Sequence, residues 1–132
     1  MDKTLKICAG IILFIFFIGC LAAPIMAQRK AIVSAKSTVK KALDYCQSGD
    51  AATGKVLWED PTKFPDIYDL KSYKIQNAVT HKAGKNAFLT EVHVFIDFGS
   101  ESTLPSGKVW EFKIKQKGLI NTISDCYMLP ES

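Results

Sequence analysis

The chain has 132 residues, enough for one small domain, and its first 27 residues are too apolar to belong to that domain. Hydrophobic residues make up 48% and charged residues 23%, which excludes a disordered chain, a collagen-like repeat and a dense disulfide scaffold. The net charge of +4 is too small and too evenly spread to indicate a nucleic-acid partner. The sequence has no phosphate-binding loop, nucleophile elbow or zinc-type cysteine pair, so we expect no cofactor and no metal site.

An uncharged apolar run extends from Ile7 to Ala27. About 20 apolar residues are enough for a helix to cross the hydrocarbon core of a bilayer. Three fates remain open: a retained anchor, a signal peptide cleaved after Ala27, and a lipoprotein signal in which Cys20 is lipidated. The run is longer than the roughly 7 to 15 residues usual in a signal peptide, which favours the anchor. The sequence therefore predicts a membrane anchor or signal segment over residues 1–27 and a small α+β domain over residues 28–132.

The charges around the apolar run bear on its orientation. Lys3 and Lys6 precede it, whereas five basic residues follow it: Arg29, Lys30, Lys36, Lys40 and Lys41. Taken alone, the positive-inside rule would leave the domain in the cytosol. Because that rule is weaker for long translocated domains, we expect the domain on the extracytoplasmic (periplasmic) side, with the lipid bilayer as a partner.

An amphipathic helix is predicted after Pro24. Apolar residues recur there at three- and four-residue spacings over about five turns: Ile32, Ala35, Val39, Ala42, Leu43 and Cys46. Gly49 suits the left-handed conformation that ends a helix. Asp50 is then predicted to cap a short second helix that extends to Trp58.

Four antiparallel strands are predicted beyond the prolines at 61 and 65. The first covers about Ser72 to His81, the second Ala87 to Phe98, and the fourth Leu119 to Met128. In the third, Trp110, Phe112 and Ile114 alternate with Glu111, Lys113 and Lys115. In the second, Phe88, Thr90, Val92, Val94, Ile96 and Phe98 share one face, opposite Glu91, His93 and Asp97.

A sheet with one apolar face must bury that face, and the amphipathic helix is the cover that the chain provides. The predicted fold class is therefore α+β. An N-terminal transmembrane or signal helix is followed by a curved antiparallel four-stranded sheet that packs on the amphipathic helix as a half-cone.

The order of elements resembles a known superfamily. A helix ending in ALDYCQSGDAATGKVLW, a loop, and strands ending in KVWEFKIKQKGLINTISDCYM look like the nuclear transport factor 2-like superfamily. The resemblance is strongest to its small bacterial membrane-tethered or lipoprotein members of unknown function, and it covers roughly Ala31 to Met128. Because that superfamily includes enzymes such as ketosteroid isomerase and scytalone dehydratase as well as binding and assembly domains, the resemblance implies a fold and does not choose a function.

The candidate acid–base residues are Glu91, His93, Asp97, His81 and Asp125. In the enzymes of the superfamily, catalytic groups line the pocket between sheet and helices, whereas the pattern predicts an outward position for the trio on the second strand. We therefore expect no catalytic residue. The leading hypothesis is a membrane-anchored, non-enzymatic domain that binds a protein partner or forms a homo-oligomer. The alternative is a small-molecule binding or enzymatic domain with a pocket between helix and sheet.

Two cysteines, Cys46 and Cys126, lie in the predicted domain. Cys46 is on the buried stripe of the helix, and Cys126 shares its strand phase with Ile120 and Met128. A disulfide between them is reasonable in an oxidising compartment. Two buried free thiols are an equally open alternative, because cysteine is commonly buried.

Overall fold

The computed structural model describes the backbone of residues 2–130 and the side chains of residues 25–130. Helix α1 covers Asp2–Gln47 and α2 covers Ala51–Gly54; two short 3₁₀ turns follow, at Lys55–Leu57 and Pro61–Lys63. The strands are β1 Leu70–Gly84, β2 Ala87–Phe98, β3 Lys108–Lys117 and β4 Ile120–Met128. They form one antiparallel sheet in the order β1-β2-β3-β4. The predicted α+β class, with one long helix and a four-stranded antiparallel sheet, is confirmed.

The chain divides into two compact units, the first ending at Lys30 and the second beginning at Ala31. The first unit is helical from Asp2 onward. Most of the apolar run predicted to meet the membrane, including Cys20, lies outside the residues whose side chains are described. Within the described residues, no helix has a stretch long and apolar enough to cross a bilayer.

The core of the second unit lies between α1 and one face of the sheet. The predicted helix stripe is confirmed at five positions, which are buried: Ala35, Val39, Ala42, Leu43 and Cys46. They share one hydrophobic cluster with fully buried sheet residues, among them Val92, Ile96, Phe112, Ile114 and Ile123. Ile32 is only partly buried. Burial of this cluster is the main favourable contribution to folding of the unit.

The second helix is shorter than predicted. Only Ala51–Gly54 is α-helical, and Val56, in the 3₁₀ turn that follows, is 78% exposed. Asp50 is the N-cap residue as predicted, but its carboxylate accepts a hydrogen bond from the Thr53 hydroxyl and none from a backbone N–H of the helix. Trp58 is extended and buried, forming a parallel bridge to β4 that fixes this segment against the sheet edge.

Strand phase is as predicted in β2, whose bounds are also as predicted, but not throughout β4. In β4 Asp125 pairs with Lys113 and Ile123 pairs with Ile114, so one extra residue lies between the two pairs. Such a bulge moves the residues before it to the opposite face. Ile120 is consequently 70% exposed while Cys126 is buried, and the prediction that these two share a phase is wrong.

Candidate functional site

The interior between α1 and the sheet is filled. Side chains from both layers are fully buried there, including Leu43, Phe112 and Ile114. Two polar residues, Thr90 and Gln116, also point inward and are buried. The interior is therefore a packed core with a polar contact at one end.

That polar contact joins α1 to the sheet. The Thr90 hydroxyl donates to Gln116 Oε1 at 2.6 Å, and Gln116 Nε2 donates to the Ala31 carbonyl at 2.9 Å. Asn121 Nδ2 donates to the hydroxyl oxygens of Ser34 and Thr38. Burying polar groups costs little folding free energy when they are hydrogen-bonded to each other. This network therefore fixes the register of the helix on the sheet and does not form a binding site.

The strongest cluster of ionisable groups lies on the other face of the sheet, which we call the outer face. Adjacent strands place His93, Glu111 and Tyr127 in one row, because His93 pairs with Glu111 and Glu111 pairs with Tyr127. His93 Nε2 is 3.0 Å from Glu111 Oε1, and the Tyr127 hydroxyl donates to Glu111 Oε2. Glu111 is only 7% exposed although it lies on the face of the sheet opposite the buried stripe of α1. Both carboxylate oxygens thus have a partner, as a buried carboxylate requires.

Lysine and acidic side chains surround this outer row. The sheet register places Lys113 between Glu91 on β2 and Asp125 on β4. Its ammonium group also lies 5.5 Å from the centre of the Tyr127 ring, within the range of a cation–π contact. The row is therefore bordered by charges of both signs.

Two clefts open beside the outer face. One of about 390 Å³ lies between the 58–63 segment and the sheet, lined by Glu59, Asp60, Lys63, Leu89, Lys113, Lys115, Ser124 and Asp125. A second is lined by both hairpin turns, including Lys85, Lys117 and Ile120. A bridge from Lys115 Nζ to Glu59 Oε2 at 3.0 Å lies between them. Among the residues with described side chains, none from α1 lines either cleft.

The residues predicted to carry acid–base chemistry do not form one site. Glu91, His93 and Asp97 are on the outer face as predicted, each partly exposed. Asp97 accepts from the Ser106 hydroxyl at 3.2 Å, and His81 is exposed near the end of β1. Of the predicted candidates, His93 alone joins the hydrogen-bonded row with Glu111 and Tyr127. Among the described residues, no three His, Cys, Asp or Glu side chains are grouped to hold a metal ion.

Glu111 and Tyr127 were not predicted as site residues. The alternation of β3 assigns Glu111 to the same face as Lys113 and Lys115, and that face is correct. Its burial depends on which residues lie opposite it on β2 and β4, information that one strand's pattern does not contain.

Cys46 and Cys126 are both free thiols in the hydrophobic core. Burial raises the pKa of Cys46 to about 11. Burial raises the pKa of Cys126 as well, and the charges of Asp125 and Cys46 add to that increase. A disulfide between Cys46 and Cys126 stays a prediction.

Comparison of the chain with protein-family models, with curated proteins and with solved structures finds no match.

Proposed function

We propose that the chain is a membrane-anchored, non-enzymatic domain that binds a protein partner in a membrane-associated assembly. The proposed anchor is the apolar run, the proposed side is extracytoplasmic, and the proposed relationship is to the nuclear transport factor 2-like superfamily. One observation carries the proposal: the interior between α1 and the sheet is packed and its Thr90–Gln116 contact is paired, while the His93–Glu111 pair and the charged residues around it lie on the outer face.

The composition of the outer face fits a protein partner. Phe95 and Val109 pair across β2 and β3 and are half-buried. Charged residues lie farther along the same strands, among them Glu91 and Lys115. Apolar side chains bordered by charged ones are a usual composition of a protein interface. The hydrogen-bonded row of His93, Glu111 and Tyr127 would hold this surface rigid before the partner binds, which lowers the entropic cost of association.

The test is site-specific photo-crosslinking in intact membranes. A photoreactive residue is introduced at Glu91 or Lys115 on the outer face, and at Val33 or Lys40 on the exposed side of α1 as matched controls. We expect one adduct of constant mass from both outer-face positions and none from the controls. The proposal is contradicted if the protein stays monomeric without adducts and shows a substrate turnover that His93→Ala abolishes.

A second candidate is the small-molecule binding or enzymatic domain. The hydrogen-bonded row of His93, Glu111 and Tyr127 favours it, because a histidine paired with a carboxylate is a common acid–base arrangement. The cleft beside Lys113 would then receive the ligand in place of the pocket expected between helix and sheet. This candidate predicts that His93→Ala abolishes ligand binding with an unchanged melting temperature. Loss of binding and stability together would assign the row a structural role instead.

A further inference from the structure

Two hairpin turns lie side by side at one end of the sheet. The backbone N–H of Gly118 donates to the carbonyl of Asn86 at 3.0 Å, which joins the β3–β4 turn to the β1–β2 turn. Gln116, just before the second turn, bonds the carbonyl of Ala31. Both turns are therefore at the end of the second unit where its helix begins. We call residues 83–86 and 117–120 the basic tip.

The basic tip combines exposed aliphatic and cationic side chains. Leu119 is fully exposed and Ile120 is 70% exposed, an unusual pair to leave in water at a turn. Lys85 and Lys117 are exposed and line one cleft with Ile120. The basic tip itself contains two lysines and no Asp or Glu, and the carboxylate that lines the cleft, Glu59, is bridged to Lys115. Aliphatic side chains among lysines are the composition of peripheral contacts with anionic bilayers.

The length of chain before Ala31 ties this end to the apolar run. Only three residues lie between Ala27 and Ala31, so even a fully extended chain spans at most about 14 Å between them. Because Ala31 is bonded to Gln116, an anchored chain keeps the basic tip within reach of the headgroup layer.

We infer that the basic tip docks on the surface of an anionic bilayer, with Leu119 and Ile120 inserted among the headgroups and Lys85 and Lys117 against lipid phosphates. The inference rests on the proposed membrane attachment and adds a second contact to it. Each lysine near an anionic surface strengthens docking about fivefold, so the pair together contributes roughly 25-fold. Such docking would hold the outer face at a constant angle to the membrane.

Insertion is tested with the full chain reconstituted in vesicles that carry brominated lipids. Leu119→Trp places a reporter in the basic tip, and Val56→Trp is the matched control, since Val56 is also exposed and aliphatic. The emission of wild-type protein, from Trp58 and Trp110, is subtracted. We expect blue-shifted, quenched emission from Leu119→Trp in anionic vesicles and none of this from Val56→Trp. A blue shift without quenching would mean that protein covers Leu119, which would overturn the inference.

The lysines are tested by charge removal. Lys85→Gln with Lys117→Gln should lower the ratio of docked to free tip by roughly 25-fold, read from the quenching of Leu119→Trp. Lys71→Gln with Lys74→Gln makes the same charge change at the opposite end of the sheet and should leave quenching unaltered. Equal effects of the two double variants would contradict a specific tip.

Vesicle flotation separates this inference from the proposed function. Protein that fails to float with vesicles contradicts membrane attachment, and with it the basis of the inference. Protein that floats while Leu119→Trp emission is neither shifted nor quenched leaves the attachment intact and overturns docking of the basic tip.

Discussion

Oxidation of Cys46 and Cys126 to a disulfide should stabilise the domain strongly. The bond would close a loop of 126 − 46 = 80 residues. Loss of chain entropy in the unfolded state gives about 4.5 kcal/mol for that length, and native-state strain lowers the usual value to about 2 to 4 kcal/mol. For a domain of this size, that corresponds to a rise of roughly 10 to 30 °C in melting temperature.

The structure also predicts when the bond forms. The two thiols are only 5% and 9% exposed, and burial raises the pKa of Cys46 to about 11. Disulfide formation requires a thiolate that an oxidant can reach. We therefore expect the bridge to form during folding in an oxidising compartment and to form very slowly in protein that has already folded reduced.

The assay combines mass spectrometry with thermal unfolding. Protein extracted without reductant and alkylated at once should yield the peptides of Cys46 and Cys126 as one linked pair. Reductant should lower its melting temperature, whereas the double variant Cys46→Ala with Cys126→Ala should not respond. Two freely alkylated thiols and a melting temperature independent of reductant would refute the bridge. That result would move the domain toward the cytosolic side that Arg29 and Lys30 indicate.

Three further predictions concern the stability of the full chain. Leu43→Ala should lower the free energy of unfolding, measured in urea, by about 2 to 5 kcal/mol, because Leu43 is buried. Val33→Ala should lower it by less than about 0.5 kcal/mol, because Val33 is exposed. Equal losses would mean that α1 does not cover the sheet. Tyr127→Phe removes a hydrogen bond to the buried carboxylate of Glu111 and should lower the free energy of unfolding by about 1.5 to 3 kcal/mol, whereas Tyr68→Phe should leave it unchanged. An unchanged urea midpoint for both variants would mean that the row of His93, Glu111 and Tyr127 has no structural role. Burial raises the pKa of Cys46 from its ordinary value near 9 to about 11, so Cys46 should cost the reduced protein about 2 to 3 kcal/mol of stability as the pH rises from 9 to 11, and Cys126, whose pKa burial also raises, should add to that loss. Cys46→Ala should make that decline smaller by the share of Cys46, and identical pH profiles would contradict the assignment.

Regular patterns made part of this fold predictable. β2 alternates apolar and polar residues without interruption, and its bounds and inward face follow directly from that period. The helix stripe is equally clear, because Ala35, Val39 and Leu43 recur at the helical period. Gly49 adopts φ +84° at the predicted helix end, where a residue with a Cβ would be strained.

The errors occur where distant parts of the chain decide local structure. Trp58 has ordinary helix propensity, yet its bridge to Ile123 makes it extended. The bulge in β4 turns Ile120 outward, and no local signal in the sequence marks the extra residue. In both cases burial against another strand outweighs a weaker local preference.

The candidate site was only partly predictable for the same reason. The alternation of apolar and polar residues in β2 predicts the outward position of His93. The burial of Glu111 requires that β2, β3 and β4 be in one particular register, since its partners come from two other strands. The exposure of Leu119 likewise depends on the turn that Gly118 makes, with φ +61°, and on nothing folding over it.

The intact mass of the protein in the membrane and soluble fractions of the cell tests membrane attachment most directly. We predict the full 132-residue chain in the membrane fraction. A product shorter by 19 residues with added lipid would replace the helical anchor by a lipid on Cys20 and keep the attachment. An unlipidated product lacking about 27 residues and found entirely in the soluble fraction would contradict it.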